Sequence, residues 1–288
     1  MKTKKLNKAQ LRALIREEIE RIFKEGVRPA EDGETFSFDF STDKSGDIIS
    51  LVKQKPYQIK AFGHTYYYAY EFAPDVDSKV RTKFIHYIKT NTNLNEDNIN
   101  NFVISALDKL NQEINLSSFT AIVYPQSIAE LNRKCLRYIN SLSDGKIMKI
   151  ELVKNIPSQI SFNFEAFEEE ILGSLTPDGR PRYTEAQKQE VLQKINQVME
   201  KVHSLDYFSI ARDIKKPTWR KYIENFYHFQ SEEDAKAFSR LKGKVLILDD
   251  IVTSGATISN LLKAIRIINH SNEVVLFSII GSNKIKEI

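Results

Sequence analysis

From residue 96 onward, the chain alternates short continuous apolar runs with longer amphipathic stretches. The apolar runs predict β-strands over 119–125, 146–153, 244–252 and 273–281. Stretches with apolar residues three and four positions apart predict helices over 96–115, 128–142 and 257–269. Strands without polar alternation are typical of a parallel sheet covered by helices on both faces. The pattern therefore predicts an α/β fold, a Rossmann-like parallel sheet flanked by helices, with a ligand site at the carboxyl edge of the strands.

Two regions precede this 96–288 core, and a third is inserted within it. Within residues 1–30, the pattern predicts an amphipathic helix over 7–25 followed by a linker. Residues 31–95 form a β-rich N-terminal region, with a hairpin turning near Gly63 and His64 and a helix over 77–89. Residues 154–243 form a helical insertion in the core, with helices over 164–175 and 184–205. Helix 7–25 either packs on its own domain or a second subunit, or docks onto a protein partner.

Charge and cysteine content narrow the range of functions. The net charge of +4 lies entirely in residues 1–26, which hold eight Lys or Arg and four Glu. The rest of the chain is balanced, so a broad nucleic-acid interface is not expected. Cys135 is the only cysteine, which excludes an intrachain disulfide and a Cys-rich metal site. No apolar run is long enough to span a membrane, and a cytoplasmic protein without a membrane partner is expected.

The segment VLILDDIVTSGATISN, residues 245–260, places two carboxylates where a buried strand turns into a helix. Unpaired N–H groups at the helix start make the turn over 253–257 an anion site. Gly255 permits a positive φ, and small hydroxylated residues let the backbone close on a phosphate. Asp249 and Asp250 can accept hydrogen bonds from sugar hydroxyls and interact, directly or through water, with Mg²⁺. The implied ligand has the shape of a ribose 5-phosphate.

This segment resembles the phosphoribosyl pyrophosphate (PRPP) signature of the type I phosphoribosyltransferases, whose fold is a parallel sheet with helices on both sides. The resemblance covers the C-terminal two-thirds of the chain and leaves residues 1–95 outside it. It implies that Asp249 and Asp250 hold the ribose hydroxyls and, through the ribose or water, Mg²⁺. It further implies that five residues wrap the 5-phosphate: Thr253, Ser254, Gly255, Ala256 and Thr257.

The family also has a pyrophosphate loop after its first core strand, often with a strained non-proline cis peptide. The matching residues are Tyr124, Pro125, Gln126 and Ser127, although the usual glycine-containing loop is missing.

A mobile basic lid precedes the signature strand in the family. The corresponding cations here are Arg212, Lys215, Lys216, Arg220 and Lys221. Arg212 and Lys216 are the expected catalytic cations, and a solvated loop is the alternative interpretation of this basic run. The spacing of Arg220, Asn225 and Phe226 is weakly similar to the ComF-like branch of the family.

The resemblance implies an enzyme that binds PRPP and Mg²⁺, transfers the 5-phosphoribosyl group to a nitrogenous base and releases pyrophosphate. The base-selecting hood would come from residues 31–95, from the insertion, or from the second subunit of an expected homodimer. The candidate stacking residues for the base are Tyr66, Tyr67, Tyr68 and Trp219. Two alternatives stay open: a PRPP- or nucleotide-binding regulator that has lost turnover, and an assembly protein that uses the same scaffold.

Overall fold

The structure is a computed structural model of the 288-residue chain. It describes residues 26–29, 36–39, 49–50, 55–73, 76–90, 96–126, 130–252, 255–282 and 285. The predicted helix over 7–25, the loop residue Ser127 and the turn residues Thr253 and Ser254 lie outside the described residues.

The described residues form strands and helices in the alternating order that the sequence predicts from residue 96 onward. The strands are β1 (Gly26–Pro29), β2 (Phe36–Asp39), β3 (Ile49–Ser50), β4 (Tyr57–Ala61), β5 (His64–Phe72), β6 (Ala121–Pro125), β7 (Met148–Lys154), β8 (Ser161–Phe162), β9 (Ile223–Glu224), β10 (Tyr227–Phe229), β11 (Lys244–Ile251) and β12 (Glu273–Gly281). The helices are α1 (Ser78–Thr90), α2 (Glu96–Ile114), α3 (Glu130–Leu142), α4 (Phe164–Phe167), α5 (Glu185–His203), α6 (Ile210–Asp213), α7 (Pro217–Arg220), α8 (Glu232–Ser239) and α9 (Ala256–Ile268).

One mixed sheet organises the molecule, with its strands in the order β10-β7-β6-β11-β12-β5-β3-β1-β2 and β4 paired to β5. The pairs from β7 to β5 along this order are all parallel. The α/β class predicted from the sequence is therefore confirmed, with a parallel centre formed by β7, β6, β11, β12 and β5. Because these strands run the same way, their carboxyl ends share one edge, and β11 lies at the centre of that edge.

Two segments join the sheet where the sequence pattern did not place them. Strand β5, from the β-rich N-terminal region, pairs in parallel with β12, so it is part of the same sheet as the 96–288 core. The expected division at residue 95 therefore does not separate two sheets. Strand β10, from the helical insertion, pairs antiparallel with β7 through Tyr227 and Lys154.

Apolar layers on the two faces of the sheet explain the continuous hydrophobic strands. Alternate residues of β11 enter different layers: Val245 and Ile247 pack in one, and Leu246 and Leu248 in the other. The first layer is closed by helices α5 and α9 of the C-terminal half, and the second by α1, α2 and α3. Successive residues of a strand point to opposite faces, so each face needs its own helical cover. Within the part of the chain that the structure describes, no helix has the length and apolar character to cross a membrane.

The predicted hairpin near Gly63 and His64 is confirmed. Strands β4 and β5 pair antiparallel across a turn in which Phe62 and Gly63 have φ of 53° and 75°. Positive φ at both central residues is the geometry of a two-residue hairpin turn. The tyrosines that follow are core residues: Tyr66 and Tyr68 are buried, and the Tyr66 hydroxyl lies 2.5 Å from Ser278 Oγ.

The insertion contains the predicted capped helix. Helix α5 begins with a capping box in which Gln187 N–H donates to Thr184 Oγ1 and the Gln187 side chain accepts from Thr184 N–H. Its apolar stripe packs into the first layer through Ile195, Met199 and Val202. The earlier predicted helix of the insertion is α4, which continues as a π-helical turn over Glu168–Leu172.

Candidate functional site

The two acids at the end of β11 point to opposite faces of the sheet. Both are buried, with 4% of Asp249 and 2% of Asp250 exposed. Asp249 lines a cavity beside the first turn of α9. Asp250 instead forms an ion pair on the other face, where its Oδ1 lies 2.9 Å from Nζ of Lys89 on α1. The structure therefore brings Asp249, but not Asp250, together with the start of helix α9 at Gly255.

The cavity at the carboxyl edge of β11 has a volume of about 110 Å³. One wall comes from the signature segment: Asp249, Ile251, Val252, Gly255, Ala256 and Thr257. The facing wall comes from β7 and the insertion: Lys154, Ser209, Ile210, Phe226 and Tyr227. This volume is below the roughly 300–1,000 Å³ of pockets that enclose drug-sized ligands. The cavity as it stands suits a phosphate or part of a sugar rather than a whole PRPP with a base.

Gly255 starts helix α9 in the left-handed conformation, with φ of 76°. A Cβ atom at this position would lie 2.8 Å from Cζ of Phe62 and 3.1 Å from Cγ2 of Ile285. Both the φ and the lack of space select glycine, as the sequence predicts. The N–H groups of the first helical turn have no intrahelical acceptor, so this wall of the cavity favours an anion.

Burial and a neighbouring negative charge both change the pKa of Asp249. Its Oδ1 accepts a hydrogen bond of 3.1 Å from the N–H of Asp250, and its Oδ2 is buried without a partner. Burial and the neighbouring Asp250 carboxylate raise the pKa of Asp249 to about 7, against the opposing effect of Lys89. Burial alone would lower the pKa of Lys89, but the Asp250 and Asp249 carboxylates outweigh it and raise that pKa. A carboxyl that changes charge near neutral pH inside a cavity marks a functional-site candidate.

Lys154 is a cationic wall residue that sequence reasoning missed. It is the last residue of β7, and its Nζ donates to the Tyr207 hydroxyl at 2.8 Å. The same ammonium lies 4.9 Å from the Tyr207 ring centroid and 5.6 Å from that of Phe226. Its position at the carboxyl end of a parallel strand was the available signal, because ligands of such sheets bind at that edge.

The predicted lid cations do not line the cavity. Arg212 is held by Asp213, with Nε to Oδ1 and Nη2 to Oδ2 both 2.9 Å, and donates to the Tyr207 carbonyl at 3.0 Å. The Nζ atom of Lys216 lies 4.6 Å from the ring centroid of Trp219. Of the segment that carries these cations, Ser209 and Ile210 reach the cavity wall.

The other predicted lid residues make contacts within the insertion. Arg220 Nε donates to the Ile214 carbonyl at 2.8 Å, and Lys221 pairs with Glu170. Lys215 is exposed. Contacts within the insertion therefore hold part of this basic run in place.

The predicted pyrophosphate loop begins at the same sheet edge. Pro125 ends β6, and Gln126 N–H donates to the Leu152 carbonyl at 2.7 Å. Neither residue lines the cavity beside Asp249. Among the described residues there is no cis peptide bond.

None of the predicted stacking residues lines this cavity. Tyr66, Tyr68 and Trp219 are buried in the core. Tyr67 lines a second cavity of about 570 Å³ at the opposite edge of the sheet, together with the first residues of β11 and β12. The aromatic walls of the candidate site are instead Phe226 and Tyr227, whose contribution the sequence did not reveal.

The donor set limits how a metal can bind. Across the described ranges there is no group of three or more His, Cys, Asp or Glu placed to hold an ion. Asp249 offers one buried carboxylate oxygen without a partner. Mg²⁺ is commonly bound by one or two carboxylates plus substrate phosphates, so Asp249 fits that mode of binding.

Comparisons with known proteins add no family assignment. No family model matches the chain, and no curated protein matches it.

Proposed function

We propose that this chain is a type I phosphoribosyltransferase, binding PRPP with Mg²⁺ and transferring the 5-phosphoribosyl group to a nitrogenous base. The observation that carries the proposal is the cavity in which a buried carboxylate, a helix start and a lysine meet. These are Asp249, the first turn of α9 at Gly255, and Lys154. The combination suits a ligand with a hydroxyl, a phosphate and further negative charge.

Each wall of the cavity has a role in this proposal. The N–H groups of the α9 start bind the 5-phosphate, and ionised Asp249 accepts a hydrogen bond from a ribose hydroxyl. Lys154 lies where it can offset negative charge on the pyrophosphate. In the reaction, the bond from ribose C1 to pyrophosphate breaks, the acceptor nitrogen forms a bond to C1, and the acceptor loses its proton. The protein supplies position and charge rather than a nucleophile.

Asp249 is the residue of this cavity that would contact Mg²⁺, with the substrate phosphates as the other ligands. The ion would supply positive charge to the leaving pyrophosphate. Asp250 has a different role from that implied by the family signature, because its carboxylate is engaged by Lys89 on the other face.

The small cavity requires movement before PRPP and a base can bind together. The segment from Tyr207 to Arg212 is the candidate moving part, because it forms the wall facing α9 and is held to Lys154 by the Tyr207 hydroxyl. Opening of this segment would enlarge the site, and its closure would exclude water during the reaction.

Pyrophosphate release from PRPP and Mg²⁺, measured against a panel of purine and pyrimidine bases, tests the proposed activity. We expect one base to stimulate release in the native chain and Asp249→Asn to abolish that stimulation. Asp144→Asn, in an exposed turn after α3, is the matched control. PRPP binding without release for any base would instead support a regulator.

A PRPP- or nucleotide-binding regulator is the second candidate. The observation that favours it is the Asp250–Lys89 ion pair, which withdraws one of the two signature acids from the cavity. A protein that binds the sugar-phosphate without turnover needs fewer contacts to the reacting ribose than an enzyme does.

A further inference from the structure

The edge of the sheet opposite the Asp249 cavity carries a group of cations. The connection from α8 to β11 holds Arg240 and Lys242, both exposed, and Gly243 follows with a φ of 128°. A Cβ atom at Gly243 would lie 2.8 Å from Cγ2 of Thr120, so the connection packs closely against the residue before β6. It therefore presents two exposed cations in front of β11, at the amino edge of the parallel strands.

A buried amide fixes this connection to the end of α9. Asn269 is buried, and its Nδ2 donates toward three carbonyl oxygens: those of Phe238 at 3.1 Å, Ser239 at 3.3 Å and Leu241 at 2.9 Å. One side chain thus holds the backbone on both sides of Arg240. A backbone that is already held loses less conformational entropy when a ligand binds to it.

The last turn of α9 and the β4–β5 hairpin extend the positive charge along the same edge. Arg266 Nη1 donates to the His270 carbonyl at 2.7 Å, and its Nη2 lies 3.0 Å from His64 Nε2. In the hairpin, Lys60 Nζ donates to Thr65 Oγ1 at 3.0 Å. Burial, Arg266 and Lys60 lower the pKa of His64, so both cations act on this ring.

Two carboxylates at this edge pair with lysines outside that group. Glu273 lies 3.2 Å from Lys244, and Glu113 lies 2.8 Å from Lys55. Within the ranges that the structure describes, no carboxylate lies within ion-pair distance of the four other cations, which we call the amino-edge patch: Lys60, Arg240, Lys242 and Arg266. Positive and negative residues are equal in number over 27–288, so the patch is a local excess that the composition conceals.

The chemistry of the patch suits a chain of phosphates. Ile267, 72% exposed, is a lone large apolar side chain among charged neighbours in the last turn of α9. The centre of a protein–protein interface is apolar or aromatic, whereas nucleic-acid interfaces are polar and strongly positive. A small anion would engage one or two of the four cations, but successive phosphates of a nucleic acid can engage all of them.

We propose that the amino-edge patch binds the phosphate backbone of a nucleic acid. Contacts to phosphates carry no base information, so this binding is independent of base sequence. The patch is small, in keeping with a chain that lacks a broad basic surface. It lies at the sheet edge opposite the Asp249 cavity, and the proposal goes beyond the proposed function without resting on it.

The direct test is the fluorescence anisotropy of a labelled DNA duplex of about 20 base pairs, titrated with the full chain at several salt concentrations. Four phosphate contacts predict that log K falls with log salt concentration with a slope of about −3.6 or steeper. The triple variant Lys60→Gln, Arg240→Gln, Lys242→Gln should make this slope shallower by about 2.7 and weaken binding at least about tenfold at about 50 mM salt.

The matched control replaces one arginine and two lysines that are exposed on the insertion: Arg180→Gln, Lys194→Gln and Lys201→Gln. Its net charge equals that of the patch variant, and its affinity should stay within about twofold of the native chain. Equal losses in the two variants would show that binding follows net charge alone. An unchanged affinity in the patch variant would assign binding to another segment, such as residues 1–26 with their charge of +4. Either result overturns the proposal, as does a native chain that binds no duplex at about 50 mM salt.

Competition with poly-glutamate of equal total charge separates a nucleic acid from an acidic protein. The phosphates of a duplex are spaced about 1.7 Å apart along its axis, a charge density that a flexible acidic peptide does not reach. We therefore expect poly-glutamate to displace the labelled duplex at least about tenfold less effectively than unlabelled duplex does. Equal displacement by both competitors would overturn the assignment to a nucleic acid.

Discussion

The two faces of β11 at its carboxyl end give neighbouring aspartates different environments. Asp249 faces a cavity together with Lys154 and the start of α9, and its Oδ2 has no partner. Asp250 faces the helical layer formed by α1, α2 and α3, where Lys89 pairs with it. A paired-acid motif on a regular strand therefore supplies one carboxylate to the ligand side and one to the opposite layer. Substitutions on each face can show whether that difference governs binding.

The largest expected effect separates the two acids directly. Asp249→Asn should weaken PRPP binding about 10- to 100-fold, because hydrogen bonds to charged groups contribute about 1.5–3 kcal/mol. Asp250→Asn should change affinity by no more than about twofold at pH 7, where its influence is limited to the ionised fraction of Asp249. Isothermal titration calorimetry in the presence of Mg²⁺ measures the PRPP affinity of both variants. Equal losses in the two variants would show that both acids hold the ligand.

Replacement of Gly255 tests the wall that faces Asp249. Gly255→Ala places a Cβ 2.8 Å from the Phe62 ring at a φ of 76°. Strain of this kind costs on the order of 1–3 kcal/mol, so we expect lower stability in denaturant unfolding and impaired PRPP binding.

Gly179→Ala is the matched control for that variant. Gly179 has a φ of 80°, but a Cβ at this position would have no atom within 4 Å, so the substitution introduces the backbone strain without the clash. A control that loses as much PRPP affinity as Gly255→Ala would argue against a binding role for the α9 start.

The pH dependence of binding tests the ionisation of Asp249. The ionised carboxylate accepts a stronger, charge-assisted hydrogen bond from a ribose hydroxyl than the neutral acid does, and burial with the neighbouring Asp250 raises the pKa of Asp249 to about 7. PRPP affinity should therefore increase about tenfold between pH 6 and pH 8, as the ionised fraction rises. The ligand phosphates also titrate near pH 6, so Asp249→Asn serves as the reference. The same pH dependence in that variant would assign the effect to the ligand.

The smallest expected effect concerns Lys154, the cation on the cavity wall that faces Asp249. Lys154→Met should weaken binding of PRPP and of pyrophosphate alone by about three- to tenfold, since it removes one charge-assisted contact. Lys149→Met, an exposed lysine on the same strand, is the control. Calorimetry at low and high salt should show the difference between the two variants shrinking as salt rises. Identical affinities for both variants would exclude Lys154 from the anion site.

The parts of the fold that follow from periodicity could be predicted from the sequence. Continuous apolar strands at 244–252 and 273–281 predicted a buried parallel pair, and β11 and β12 form it. Gly255 and the turn at Gly63 were also predictable, because both need a positive φ that glycine adopts readily.

Features that depend on long-range packing could not be predicted in the same way. The pairing of β5 with β12 joins segments about two hundred residues apart, and local pattern does not specify a strand's neighbour. The Lys89–Asp250 ion pair likewise depends on where α1 packs. The sequence showed two acids in a row, but their division between faces required the strand to continue regularly through both of them.

A crystal structure with PRPP and Mg²⁺ would show at once which of the two acids holds the ligand. We expect the 5-phosphate at the start of α9, a ribose hydroxyl on Asp249, and Lys89 still paired with Asp250. A ribose held by Asp250, or a PRPP bound away from the β11–α9 turn, would contradict the division of the two acids between ligand and ion pair.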